Sequence, residues 1–115
     1  MVPGKVLTTK AEIDAALERA KNEPELPRAL AAEYNSALDV VVLRIDNGRR
    51  LVIPREEMQG LENATPAQLA AIEIHGGLDI AWPQLDVDHY LPYLLEGKYA
   101  TERWKQERER HKVAA

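Results

Sequence analysis

Asp86-Val87-Asp88-His89 is the run of this chain whose residue types could do chemistry. Two carboxylates and an imidazole so close together can hold a divalent cation or carry out acid–base work. A metal site needs further ligands, and His75 and His111 stand at no helical or hairpin spacing that would supply them. The same aspartates can instead accept backbone amides at the turn into a helix, as capping residues do. The expectation is therefore a polar cluster, Asp86, Asp88 and His89, in which the two carboxylates serve as helix caps.

Other catalytic arrangements find little support. Ser36 is the one serine, it falls in a predicted turn, and no glycine-flanked elbow surrounds it. Gly76-Gly77 lacks the following helix and lysine of a phosphate loop and reads as a hairpin turn. Glu56-Glu57 follows a proline, as a solvated helix start does. With no cysteine, there is neither a thiolate nucleophile nor a disulfide framework. The chain is expected to be no enzyme and to carry no cofactor.

A different chemistry is offered by Tyr99, Arg103, Trp104 and Arg108. Aromatic side chains flanked by arginine are enriched where proteins grip one another. These four are the candidate partner-binding residues. Trp82, by contrast, ends an alternating strand and is expected in the core. Charge is unevenly spread across the chain's formal −4. Residues 98–115 hold six basic and three acidic residues, a net of +3, which leaves −7 on residues 1–97. Phosphate recognition needs clustered positive charge. Only the C-terminal segment could contribute it, and there glutamates alternate with the basic residues as on a solvated helix.

The elements that must position these residues can be read along the 115-residue chain. Thr9 and Glu12 have capping-box spacing, and Ile13, Ala16, Leu17 and Ala20 form one apolar stripe, which predicts a helix over 10–21. Two prolines mark 22–27 as a connector. Strands are predicted over 29–35, 38–45 and 49–53, with Asn47-Gly48 as a tight type I′ turn. Pro54 to Met58 reads as one helical turn, and Thr65-Pro66-Ala67-Gln68 as a helix start. Residues 73–82 form a second hairpin, with Ile74, Ile80 and Trp82 pointing to the core. A short helix over 92–96 ends at Gly97, and a charged helix follows from Tyr99. The organisation is a helix and connector over 1–27, a core domain over 28–97 and a charged extension over 98–115. The fold class is α+β, a small antiparallel sheet of hairpins with short helices.

Three stretches, LDVVVLRIDNGRRLVIP, QGLENATPAQLAAIEI and GGLDIAWPQLDVDHYLPYLLEG, occur in order over about half of the chain. Together they resemble number twenty-four forty-two in the series of bacterial domains of unknown function. The TTKAEIDAA helix and the YATERW segment resemble the longer members. The resemblance implies a compact α+β domain, with no catalytic residue to carry over. Its members are often encoded beside another small uncharacterised protein, which implies an antitoxin-like or regulatory pairing.

The expected function is thus a protein-binding or regulatory module. Its partner would be a small protein encoded next to it, or a second copy of itself. The alternative is a nucleic-acid-associated regulator using the basic C-terminal helix. No apolar run approaches the roughly 20 residues of a membrane span, and the start of the chain lacks the features of a secretory signal. A soluble cytoplasmic protein is expected, with no membrane partner.

Overall fold

The computed structural model describes residues 9–114, with side chains up to Arg110. His111 and Lys112, counted above as a stray histidine and a basic residue, lie outside the described side chains.

Helix α1, Lys10–Asn22, begins where the Thr9 hydroxyl accepts the Glu12 amide at 3.1 Å. Of its apolar stripe only Ala16 and Ala20 are buried, and Leu17 is left exposed. This small contact face makes α1 a light cover rather than a core element. Arg28 fastens its end, because the guanidinium donates to the carbonyls of Ala20 at 2.8 Å, Glu23, and Gly76 at 3.1 Å.

Six strands form two three-stranded antiparallel sheets. Sheet A contains β1 (Ala29–Asn35), β2 (Val40–Ile45) and β3 (Arg50–Pro54) in sequential order. Its inner face carries Val41, Leu43, Ile45 and Ile53, each at most 1% exposed. The β-branched run thus buries every second residue, as a half-covered strand must. Strand β2 starts two residues later than its composition predicts. Asp39 adopts φ 55°, and Asn35 Oδ1 accepts the Leu38 amide, so Leu38 and Asp39 belong to the turn.

The β2–β3 connection also differs from the expected type I′ turn. Gly48 alone in it has positive φ, at 87°, while Asn47 does not. The Gly48 amide donates to the Ile45 carbonyl at 3.0 Å, and the Ile45 amide to the Arg49 carbonyl at 2.9 Å. This is a three-residue loop, a turn followed by a left-handed glycine bulge. Asn47 still contributes, since its Oδ1 accepts the Arg49 amide at 3.0 Å.

Sheet B contains β4 (Glu73–His75), β5 (Asp79–Trp82) and β6 (Val87–Tyr90). Strand β6 pairs Val87 with Trp82 and Tyr90 with Asp79. The two sheets meet where the Ala29 amide donates to the Gly77 carbonyl at 2.7 Å. Short helices seal the space between them. The first is a 3₁₀ turn over Arg55–Glu57. The second, α2 (Pro66–Ala70), carries a complete capping box between Thr65 and Gln68, as expected. The third, α3 (Leu91–Leu95), buries Leu91 and Leu94. Trp82 lies at the centre, fully buried, with Nε1 donating to the Leu69 carbonyl at 3.0 Å.

Candidate functional site

Asp86, Asp88 and His89 do not cap a helix. A 3₁₀ turn, Pro83–Leu85, ends at Asp86, which adopts φ 54° and donates its amide to Pro83. The chain then runs as β6, and α3 begins at Leu91, with Tyr90 at the N-cap position and no side-chain cap. The sequence missed this strand because only five residues separate the two short helical turns, too few to show an alternation. That alternation turns Asp88 outward and His89 inward. The three groups therefore diverge, and among the described residues no three histidine or acidic side chains gather as a metal site.

His89 is a packing residue. Its Nε2 donates to the Gln59 carbonyl at 3.0 Å, and its ring meets Trp82 edge-on with centroids 5.9 Å apart. Burial holds the imidazole below its ordinary pKa, although the Gln59 carbonyl and the Asp88 carboxylate both favour the protonated form. Burial thus favours the neutral ring over the charged one.

A cleft of about 430 Å³ runs beside β6 and is bounded by Asp86, Asp88, Tyr93, Tyr99 and Thr101. Its far wall is the 98–101 segment, which Gln59 ties down. The Gln59 amide donates to the Tyr99 carbonyl at 3.0 Å, and Gln59 Oε1 accepts the Thr101 amide at 2.9 Å. The cleft thus joins the Asp86, Asp88 and His89 run to Tyr99, two groups that the sequence kept apart.

Helix α4, Glu102–Ala114, follows, with the Thr101 hydroxyl accepting the Trp104 amide at 3.2 Å. Trp104 is half-buried. Its Nε1 points at Glu62 Oε1 over 3.4 Å, and the Arg108 guanidinium lies 5.5 Å from its ring centroid. Arg108 also reaches Glu56 at 3.9 Å. A groove of about 530 Å³ results, between Tyr99, Trp104 and Arg108 on one side and Glu56 and Glu57 on the other. Arg103 does not join this group. It is exposed and pairs with Glu107 along the helix at 3.3 Å. Lys98 and Lys105 also face carboxylates, Glu96 at 3.2 Å and Glu102 at 3.5 Å. Each described basic side chain from Lys98 to Arg108 therefore has an acidic neighbour, which dilutes any phosphate-binding footprint.

Two polar clusters escaped the sequence reading. Asp79 is 5% exposed and pairs with Arg19, whose guanidinium also lies 5.8 Å from the Tyr90 ring centroid. Asp39 accepts from Tyr34 Oη at 2.6 Å and from Arg55 through both oxygens. The Arg55 bonds, followed by the Tyr34 bond, hold the Asp39 carboxyl below its ordinary range. The same contact with Asp39 raises the Tyr34 phenol and the Arg55 guanidinium. Arg19 stands 60 residues from Asp79, and Arg55 16 from Asp39, so no local pattern announces either ion pair.

The two sheets, the short sealing helices and the tied-down 98–101 segment define a small α+β domain with an aromatic groove and an open strand edge. The chain belongs to DUF2442, described as a protein of unknown function, which matches residues 29–100. A crystal structure of a protein of unknown function from Rhodospirillum rubrum is 37% identical, covers 70% of this chain and 98% of its own, and superposes with a TM-score of 0.66. The solution NMR structure of an uncharacterized protein from Chromobacterium violaceum is 31% identical, covers 87% and 94%, and has a TM-score of 0.67. None of the curated proteins matches. No helix among the described residues is long and apolar enough to cross a membrane.

Proposed function

We propose that this protein is a non-enzymatic, cytoplasmic protein-binding module, the antitoxin-like or regulatory partner of a small protein encoded beside it. The observation that carries the reading is the half-buried Trp104, with Arg108 over its ring, set against the Glu56 and Glu57 wall of an open groove. A tryptophan and an arginine that a partner can finish burying are the side chains on which binding energy concentrates. Tyr99 adds a third anchor, and its backbone is already fixed by Gln59.

Titration of the purified neighbouring protein into this one tests the proposal. Saturable binding is expected, weakened more than tenfold by Trp104→Ala, with the melting temperature of the free module nearly unchanged. Absence of binding between two folded proteins would sink the pairing. Binding to duplex DNA that falls steeply with salt would instead transfer the role to nucleic acid.

A further inference from the structure

We propose that the free edge of β6 is a second docking site, which takes an extended basic segment of a partner protein as a fourth strand of sheet B. This site adjoins the α4 groove at Tyr99, and its backbone edge does not depend on that groove.

The order of sheet B leaves β6 with one neighbour, β5. The Leu91 amide donates to the Leu78 carbonyl at 2.7 Å, which fixes the phase of the ladder. Hydrogen-bonded pairs alternate in an antiparallel ladder, so Ile80 with His89 and Trp82 with Val87 exchange bonds. The amides of Asp88 and Tyr90, and the Asp88 carbonyl, therefore point away from β5. No backbone group among the described residues meets them. An open row of this kind is a template for strand addition unless something blocks it.

Space and charge both point to the occupant. The cleft beside β6 continues, across Asp88 and Tyr93, into a second hollow of about 430 Å³ that reaches Tyr90. Tyr90 and Tyr93 meet edge-on there with centroids 5.4 Å apart, and Tyr93 is 54% exposed. The carboxylates of Asp86 and Asp88 make no hydrogen bond or ion pair among the described residues. The nearby cations are engaged, Arg19 with Asp79 and Lys98 with Glu96. An incoming strand with lysine or arginine at alternate positions would meet Asp88 and the tyrosine faces with its charges.

The test uses the full chain and three synthetic six-residue peptides. One alternates valine with lysine, one alternates valine with glutamate, and one is the lysine peptide with a central proline. Binding is followed by NMR shifts and by amide exchange. The lysine peptide is expected to slow exchange at the Asp88 and Tyr90 amides, and to bind at least tenfold more tightly than either other peptide. The double variant Asp86→Asn/Asp88→Asn keeps the backbone edge, and should lose most of the preference for lysine over glutamate. Equal binding of the lysine and glutamate peptides, or shifts centred away from β6, overturns the proposal. Slow exchange at Asp88 and Tyr90 in the free protein also overturns it. If that protection grows with protein concentration, the occupant is a second copy of the chain.

Discussion

Arg55 grips Asp39 with two hydrogen bonds, Nε to Oδ1 at 3.0 Å and Nη2 to Oδ2 at 2.7 Å. The Arg55 amide also donates to the Asp39 carbonyl at 3.0 Å, so backbone and side chain lock together. The clamp joins the β1–β2 turn to the end of β3, and it holds Asp39 at φ 55°. Asp39→Asn should cost about 1 kcal/mol, a discounted figure because the Asp39 side chain is 43% exposed and solvent screens the pair.

The clamp also sets a pH dependence. The folded carboxyl titrates below its ordinary 3.8, so the unfolded chain binds more protons as the solution is acidified. Stability from this group is complete well above pH 4 and is lost as pH falls through the folded value. Chemical denaturation of the Asp39→Asn variant between pH 5 and pH 3 should show a shallower decline than the parent protein.

His89 produces a second slope in a higher window. Its folded pKa lies below the ordinary 6.5, so the unfolded state takes up a proton first. Stability should be fully present above that value and should fall as pH drops from about 6.5 toward the folded pKa. Denaturant midpoints of His89→Gln, measured at pH 7.5 and pH 5.5, should differ less than those of the parent. Equal differences would show that another group titrates.

Trp82 combines buried volume with a buried hydrogen bond. Trp82→Ala should cost about 3–5 kcal/mol through the cavity it leaves. Trp82→Phe keeps much of the ring but strips the Leu69 carbonyl of its donor, and should cost about 1–3 kcal/mol. Intrinsic fluorescence separates this from Trp104, whose removal should change stability by less than about 1 kcal/mol.

Two glycines separate backbone strain from steric clash. Gly48 and Gly60 have similar positive φ, 87° and 95°. A Cβ on Gly48 would meet nothing within 4 Å, whereas one on Gly60 would lie 2.5 Å from Val87 Cγ2. Gly48→Ala should therefore cost about 1–2 kcal/mol, from strain alone. Gly60→Ala should cost more, because Val87 or the strand that carries it must shift. Thermal melts of the two variants side by side measure the difference.

What was legible in the sequence was local. The Thr65–Gln68 capping box and the left-handed Gly97 depend on residues a few places apart, and both stand as expected, as does the strand from Ala29 to Asn35. Gly97 ends α3 with the expected pair of bonds, its own amide to Leu94 and that of Lys98 to Tyr93. Strand β6 was hidden because its partner, not its composition, makes it a strand. The candidate site was legible only in part. Tyr99, Trp104 and Arg108 converge as their aromatic and basic character suggested, while Arg103 faces away along its own helix. The Asp86, Asp88 and His89 run was noticed for its chemistry, yet pleating separates its members.

The contact between the two sheets carries a kinetic consequence. Each sheet is a meander whose strands pair with their immediate neighbours, so each can form by closing short loops. Joining them at Arg28 and Gly76 spans 48 residues, and that closure must be met before the shared core rewards it. The docking of the two sheets is then expected to be the slow step in folding. Changes at Arg28 should slow folding, whereas changes at the Gly48 bulge should mainly act within one half.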